Sequence, residues 1–269
     1  EGQRVGIFAG SGVGKSTTLG MIAKTAEADV NVIALIGERG REVLDFIERD
    51  LGPEGMKKSV VVCATSDKPP LVRLKGALTA TSIAEYFRDM GYSVALMADS
   101  TSRWAEALRE LSGRLEEMPA EEGFPAYLAS RLSAFYERAG MMQTLCGAEG
   151  SVSIIGAVSP QGGDFSEPVT QNTKRFVRCF WGLDKNLAYA RHFPAISWLT
   201  SYSEYLNDLG SWYTENVDKK FVDYRNQIVY LLSQESSLME IVKLIGQRDY
   251  DLLIVGNRGL SGLKEYMGS

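Results

Sequence analysis

The sequence predicts an α/β protein with a mainly parallel sheet that is covered by helices on both faces. Short apolar runs rich in β-branched residues alternate along the chain with longer amphipathic stretches. This order is typical of parallel strands that are connected by crossover helices. A glycine-rich segment between the first apolar run and the first amphipathic stretch also indicates a tight strand-to-helix connection.

The elements are assigned in chain order. Strands are expected at residues 5–8, 30–36, 59–64, 93–98, 151–158 and 175–181. Helices are expected at residues 17–28, 38–51, 71–90, from about 104 onward, and at 126–139. After Ser211 the chain becomes polar and helical to about Gln247, and a short apolar strand follows at 251–255. We therefore predict a core domain at 1–210 and a C-terminal helix-strand appendage at 211–269.

Composition limits the possible functions. The chain has 269 residues, 45% of them hydrophobic, and a net charge of −5, which disfavours nucleic-acid binding although a local basic patch stays possible. Its three cysteines are scattered, as expected in a reducing cytoplasm without a disulfide framework or a zinc site. No apolar stretch is long enough to span a bilayer, so we expect a cytoplasmic protein that contacts membranes only through partners.

The segment from Ala9 to Ser16 fits the phosphate-binding loop pattern, with Ala9 in place of the first glycine. Its backbone N–H groups would surround phosphates at the positive end of a helix dipole. The predicted nucleotide-contacting residues are Gly10, Ser11, Gly12, Val13, Gly14, Lys15, Ser16 and Thr17. Lys15 would reach the β- and γ-phosphates, and the Ser16 hydroxyl would bind Mg²⁺. A glycine-rich turn with a chance lysine is the alternative, and the strand-loop-helix context argues against it.

Two acidic residues follow apolar strands and are expected at the carboxyl edge of the sheet, where ligands bind in open α/β folds. Asp99 would hold the water shell of Mg²⁺, although an aspartate at this position also commonly caps a helix. Glu38 would act as a general base or polarise the attacking water. The alternative for Glu38 is a solvated glutamate in the first turn of a helix.

Two cations and one aromatic residue complete the predicted site. Arg39 and Arg103 could neutralise phosphate or pair with the acids, or form surface ion pairs instead. Phe193 lies in a His-Phe-Pro turn and could stack on adenine, with buried packing as the alternative.

Longer motifs resemble rotary-type ATPases. Residues 2–75 are similar to the flagellar and type III secretion ATPases through the P-loop and Leu35-Ile36-Gly37-Glu38-Arg39-Gly40-Arg41-Glu42-Val43. Residues 82–215 resemble the catalytic A subunit of archaeal and vacuolar ATPases through Met97-Ala98-Asp99-Ser100-Thr101-Ser102-Arg103-Trp104, Gly162-Gly163-Asp164-Phe165-Ser166-Glu167-Pro168 and His192-Phe193-Pro194-Ala195-Ile196.

The resemblance implies a RecA-like fold that binds Mg-ATP and hydrolyses it at a subunit interface in a hexameric ring. It gives Lys15 and Ser16 the role of the P-loop pair, and it makes Glu38 the catalytic glutamate, followed by Arg39. Asp99 corresponds to the Walker B acid and Phe193 to the aromatic residue beside adenine.

The chain also departs from these families. It lacks the N-terminal β-barrel, most of the C-terminal helical domain and the large insertion that is typical of the A subunit, so it looks excised from a larger protein. No arginine lies between Arg191 and Arg225, so an arginine finger would have to come from a noncatalytic partner. Without that finger we expect weak activity, since such groups contribute about 10³–10⁵ in rate.

The last residues point to a third family. Tyr250 to Ser269 resembles the C-terminal motif of universal stress proteins, in which a glycine loop holds ATP phosphates. A strand and helix that complete a sheet are the favoured interpretation of this tail, ahead of a second nucleotide site. Three resemblances in one chain suggest an engineered or composite sequence.

Two other functions stay open at this point. The chain could be a scaffold that binds ATP without catalysis, or that only folds. It could also be a nucleic-acid motor, which the acidic balance disfavours.

Overall fold

The computed structural model describes residues 1–10, 12–145, 147–160, 163–197, 200–216, 218–220 and 222–223. The chain divides into two compact units, Glu1–Ile196 and Ser197–Ser269. The predicted domain at 1–210 thus contains the first unit and the first residues of the second. Most of the predicted helix up to 247, the strand at 251–255 and the tail at 250–269 lie outside the described residues.

The first unit alternates strands and helices. Its strands are β1 (Arg4–Phe8), β2 (Val30–Ile36), β3 (Ser59–Ala64), β4 (Ser93–Asp99), β5 (Gly140–Gln143), β6 (Glu149–Val158) and β7 (Cys179–Gly182). Its α-helices are α1 (Lys15–Thr25), α2 (Gly40–Asp45), α3 (Gly52–Met56), α4 (Pro70–Asp89), α5 (Thr101–Arg114), α6 (Leu128–Tyr136), α7 (Pro168–Val177) and α8 (Lys185–Tyr189). A π-helical segment covers Phe46–Leu51, and a 3₁₀ turn covers Glu121–Gly123. The second unit contains β8 (Tyr202–Ser203), α9 (Tyr205–Asp208) and α10 (Gly210–Asn216).

The strands of the first unit form one sheet in the order β3-β2-β4-β6-β1-β7. All of these neighbours run parallel, and β5 pairs antiparallel with β6. The register sets Leu35 beside Asp99, Asp99 beside Ala157, and Phe8 beside Val158. The carboxyl ends of β1, β2, β4 and β6 therefore meet at one edge of the sheet, and the predicted parallel α/β fold is confirmed.

Helices cover both faces of this sheet. Alternate residues of each strand point to opposite faces, so the apolar strands have side chains to bury on both sides. On one face, the core contains Ile7, Leu19, Ile33, Val43, Phe46, Met97 and Ile155, which belong to β1, α1, β2, α2, the π-helical segment, β4 and β6. On the other face, Gly76 of α4 lies against Ile36 and Ala64, and Val177 of α7 lies beside Gly6.

Two strands of the first unit differ from the sequence prediction. The predicted strand at 175–181 is wrong, because helix α7 continues to Val177 and β7 begins only at Cys179. Pro168 starts this helix and the Glu167 carboxylate caps it, so the buried residues Thr173 and Val177 follow a helical spacing. The antiparallel strand β5 was not predicted, since its Gly-Met-Met-Gln sequence lacks β-branched residues.

A close contact between α6 and β6 fixes the second face. The side chain of Tyr136 is fully buried, and its ring and hydroxyl occupy the place where a Cβ atom on Gly156 would stand. Only glycine leaves room for the tyrosine at this point of a central strand.

We expect Gly156→Ala to destabilise the protein by about 1–3 kcal/mol, because the added methyl group overpacks against a side chain that cannot move into solvent. Gly113→Ala is the matched control, since a Cβ atom there meets open space and alanine has a higher helix propensity than glycine in the last turn of α5. Urea denaturation of both variants checks this difference. Equal stabilities would contradict the packing argument.

Candidate nucleotide site

The predicted phosphate-binding loop connects β1 to the start of α1 and has the backbone geometry that such a loop needs. Gly12 and Gly14 have positive φ angles of 76° and 90°, which side-chain-bearing residues rarely adopt. Gly14 is the N-cap of α1 and offers no side chain to its first turn, so the N–H groups there are open to an anion. Val13 is buried in the core, so only its backbone can face a ligand. Ser11 lies outside the described residues.

Lys15 is the centre of the site. Its ammonium nitrogen lies 2.6 Å from Asp99 Oδ1 and 3.7 Å from Glu38 Oε1. It also donates a hydrogen bond of 2.8 Å to Ser159 Oγ. Burial works against the charge, but the attraction of the Asp99 and Glu38 carboxylates outweighs it and raises the pKa of Lys15 above its usual value. The ends of β2, β4 and β6 thus converge on one cation.

Asp99 ends β4 and does not cap the next helix. The N-cap of α5 is Ser100, whose hydroxyl accepts a hydrogen bond from the Arg103 N–H at 3.4 Å. The Asp99 side chain is only 3% exposed and is left to pair with Lys15. The capping alternative for Asp99 therefore does not apply.

Glu38 lies between the end of β2 and the start of α2, with 17% of its side chain exposed. Burial, and then the negative charge of Asp99, raises the pKa of Glu38 to about 7 against the opposing charge of Lys15. A hydrogen bond with Glu42 acts in the same direction. A carboxyl group with this pKa can both accept and release a proton near neutral pH.

The two predicted arginines lie at the rim. Gly37 has a φ angle of 74°, and a Cβ atom on it would stand 2.6 Å from Cβ of Arg103, so the stem of Arg103 covers this turn. The Arg103 guanidinium donates to Glu106 at 2.9 Å. Arg39 is exposed at the N-cap of α2. Both arginines therefore border the site and stand outside its central ion pair.

Phe193 lies against the phosphate-binding loop. A Cβ atom on Gly14 would stand 2.5 Å from its ring, so the missing side chain of Gly14 makes room for the phenyl group. The ring stays 39% exposed, which leaves surface for a planar ligand. The Lys185 side chain also lies against this loop, since its Cε atom is 3.5 Å from the position that a Cβ atom on Gly10 would occupy.

A small cleft that is open to solvent lies at this end of the sheet. It is lined by Ser16, Leu35, Glu38, Glu42, Val43, Phe46 and Asp99. Its polar donors are a hydroxyl group and carboxylates, which are the oxygen ligands that Mg²⁺ prefers. Within the described ranges, no cluster of three or more His, Cys, Asp or Glu side chains could hold a metal ion. The donor set fits Mg²⁺ that is bound together with nucleotide phosphates, since such ions use only one or two carboxylates.

Sequence reasoning missed the contributions of two residues to this site, Ser159 and Ser102. The Ser159 hydroxyl accepts a hydrogen bond from the Lys15 ammonium, and the Ser159 backbone N–H donates one to Ser102 Oγ at 3.1 Å. The Ser102 hydroxyl in turn donates to Ser100 Oγ at 3.1 Å. The one available signal was that Ser159 directly follows the apolar strand β6, as Asp99 ends β4.

Comparison with known proteins decides the family. Residues 1–203 match the model of the ATP synthase alpha/beta family, nucleotide-binding domain. The chain belongs to this family. Residues 210–251 match the C-terminal domain of V and A type ATP synthase. The predicted rotary-ATPase type of nucleotide-binding domain is thereby confirmed.

Individual relatives agree with this assignment. The V-type ATP synthase alpha chain of Halothermothrix orenii is 57% identical over 254 residues, which cover 91% of this chain and 43% of the relative. The V-type ATP synthase alpha chain 2 of Clostridium tetani is 54% identical over 254 residues, which cover 92% of this chain and 43% of the relative. The chain therefore spans about two fifths of the length of these relatives.

A solved structure of a prototypical ATPase from the type III secretion system of pathogenic bacteria has a TM-score of 0.75 and 38% identity, and the match covers 92% of this chain and 68% of that one. The assembled secretion ATPase of enteropathogenic E. coli has a TM-score of 0.68 and 36% identity, with 93% and 57% covered. Both likenesses extend over nearly the whole chain. The comparisons thus give no support to a composite of three families or to a stress-protein tail. Among the described helices, none is long and apolar enough to cross a membrane.

We expect Glu38→Gln to change how stability depends on pH. The folded protein holds the Glu38 proton up to a pH of about 7, whereas the ordinary pKa of this group is 4.5. The folded state therefore binds more protons in this window, and ionisation of Glu38 lowers the free energy of unfolding as the pH rises from about 4.5 to about 7.

Glutamine does not titrate. The free energy of unfolding of Glu38→Gln should therefore rise relative to that of the wild type by up to about 3 kcal/mol across this window and then stay constant. Urea denaturation of both proteins at pH 5 and pH 8 measures this change. The same difference in stability at both pH values would show that Glu38 is ionised throughout.

Proposed function

We propose that this chain binds Mg-ATP at the β1–α1 loop and hydrolyses it. The observation that carries the proposal is the convergence of Lys15, Asp99 and Glu38 at the carboxyl edge of the sheet, beside an open helix N-terminus. A buried lysine between two carboxylates needs a reason, because taking these charges out of water is costly. A phosphate oxygen that replaces a carboxylate as the partner of Lys15 would explain why the protein keeps this costly arrangement.

Nucleotide binding would use the loop backbone. The N–H groups of the loop and of the first turn, from Gly10 to Thr17, would surround the β- and γ-phosphates at the positive end of α1. Lys15 would place its charge on the same phosphates. Phe193, held against Gly14, would offer its exposed ring to the adenine base. Stacking of this kind is tolerant of base identity, so we expect moderate selectivity for adenine.

Magnesium would be held by Ser16 and Asp99, which line the cleft. When bound, the ion neutralises charge on the β- and γ-phosphates. Release of Asp99 from Lys15 makes its carboxylate available for this role. One event, the arrival of the triphosphate, thus frees both partners of the ion pair for their functional contacts.

Hydrolysis would proceed by in-line attack of water on the γ-phosphorus. The bond between the γ-phosphorus and the β–γ bridging oxygen breaks, ADP and inorganic phosphate form, and the proton of the attacking water passes to Glu38. The carboxylate of Glu38 lines the cleft beside Asp99. Its pKa of about 7 suits a group that takes up this proton and then releases it. Lys15 would stabilise the negative charge that develops on the phosphate oxygens.

A neighbouring subunit would complete the site. Arg103 is paired with Glu106, and Arg39 is exposed at the rim, so neither supplies a cation over the γ-phosphate in this arrangement. We propose that homologous subunits form a ring and that an arginine from a noncatalytic partner reaches this site. Any association with a membrane would then run through that assembly. The chain alone should turn over ATP slowly.

Binding and turnover test the proposal separately. We expect saturable binding of Mg-ATP by calorimetry, lost in Lys15→Ala. Glu38→Gln should bind Mg-ATP but release phosphate at least about 10²-fold more slowly, because general-base catalysis contributes about 10²–10⁴. Glu54→Gln, an exposed glutamate paired with Lys57, is the matched control and should equal the wild type.

Two outcomes would contradict the proposal. Binding without measurable phosphate release over many hours would favour a domain that binds ATP without catalysis. Wild-type turnover in Glu38→Gln would remove Glu38 from the mechanism and leave ATP binding intact.

A further inference from the structure

Ser159 occupies a special position relative to Lys15. It follows the end of β6, the strand between β4 and β1, so it stands directly across from the phosphate-binding loop. Its hydroxyl accepts a hydrogen bond from the Lys15 ammonium at 2.8 Å. Asp99 and Glu38 face the same ammonium with carboxyl oxygens, whereas Ser159 offers a hydroxyl oxygen.

The Ser159 backbone is itself held in place. Its N–H group donates to Ser102 Oγ, and Ser102 donates to Ser100 Oγ, which caps α5 directly after Asp99. Ser100 and Ser102 are both buried. The chain of hydrogen bonds Lys15–Ser159–Ser102–Ser100 therefore ties the lysine to the start of α5 by a path that does not pass through the Asp99 carboxylate.

The number of donors on the ammonium limits what it can contact. A lysine ammonium has three N–H donors, arranged tetrahedrally around the nitrogen. In the present arrangement the ammonium donates to Ser159 Oγ at 2.8 Å and lies 2.6 Å from Asp99 Oδ1, while Glu38 Oε1 at 3.7 Å is beyond hydrogen-bond distance. A triphosphate that takes two donors for its β- and γ-oxygens leaves one donor, and the two carboxylates are needed elsewhere, for the metal shell and for water. Ser159 is the acceptor that can keep the remaining donor.

We propose that Ser159 is a positioning residue that keeps one N–H of Lys15 engaged before and after the triphosphate binds, so that the other two donors are aimed at the β- and γ-phosphates. The inference rests on the proposed function and deepens it. Ser159 acts through Lys15 and does not touch the reacting atoms. Its effect should be larger for a ligand that has a γ-phosphate, because the direction of the ammonium matters most where a second phosphate group must be reached.

Comparison of ATP with ADP tests this role. We expect Ser159→Ala to lose about tenfold in Mg-ATP affinity, as for a hydrogen bond to a charged group, while Mg-ADP affinity stays within about twofold of the wild type. Ser159→Thr keeps the hydroxyl and should restore the ATP affinity. Ser130→Ala removes an exposed serine hydroxyl that donates to the Tyr127 carbonyl, and it is the matched control. Calorimetry with both nucleotides on the full chain gives all of these values.

The possible failures are distinguishable. Equal losses for ATP and ADP, without rescue by threonine, would show a merely structural serine and overturn the inference. Unchanged affinities in Ser159→Ala would overturn it as well, while leaving the proposed function in place provided that Lys15→Ala still abolishes binding. If the wild type and Lys15→Ala bind Mg-ATP alike, or not at all, the proposed function and the inference both fall.

Discussion

The Lys15–Asp99 ion pair sets the conditions for the rest of the site. The side chains are 13% and 3% exposed, so both charges are largely removed from water. Burial of a single charge without a partner costs several kcal/mol, on the order of 3–5 kcal/mol when one partner of a buried pair is removed. The protein therefore has to satisfy the lysine internally, and it does so with acceptors from the ends of three neighbouring strands. A ligand that takes the ammonium away from the two carboxylates must offer it equally strong acceptors, which favours a phosphate group.

The same pair contributes to the raised pKa of Glu38. Asp99 is the nearer partner of Lys15, so Glu38 is left with the weaker attraction at 3.7 Å and with repulsion from Asp99. Burial is the main cause that raises the pKa of Glu38 to about 7, and the repulsion from Asp99 adds to it. The two acids thus differ in their contact with one cation, with Asp99 at 2.6 Å and Glu38 at 3.7 Å from the Lys15 ammonium. Asp99 holds the lysine, and Glu38 is set to exchange a proton.

Close approaches at glycine then fix the surroundings. Gly14 admits the ring of Phe193 and Gly37 admits the stem of Arg103, and both glycines have positive φ angles. A side chain at either position would displace a residue that borders the site and would strain the backbone. The hydrogen-bonded serines after β4 and β6 hold the opposite wall. The site is therefore built from the ends of rigid elements, which gives it a precision that a flexible loop would not provide.

Much of this arrangement follows from local sequence patterns. Apolar runs ending in Asp99 and Gly37-Glu38 predict carboxylates at one sheet edge, because parallel strands share their carboxyl edge. The P-loop pattern predicts the lysine that meets them. Ser159 could not be found in this way, since a single serine after a strand is common and its role depends on the strand order β4-β6-β1. The strand predicted at 175–181 is wrong because the apolar residues near Val177 fit a helical period as well as a strand period. The side-chain cap at Glu167 stabilises the helix, which continues to Val177.

The most direct test of this mechanism is a crystal structure of the chain with Mg²⁺ and a non-hydrolysable ATP analogue. We expect the Lys15 ammonium to leave Asp99, now 2.6 Å away, to contact the γ-phosphate and to stay within hydrogen-bond distance of Ser159. An analogue bound at the loop with Lys15 still paired to Asp99 would contradict the exchange on which the mechanism depends.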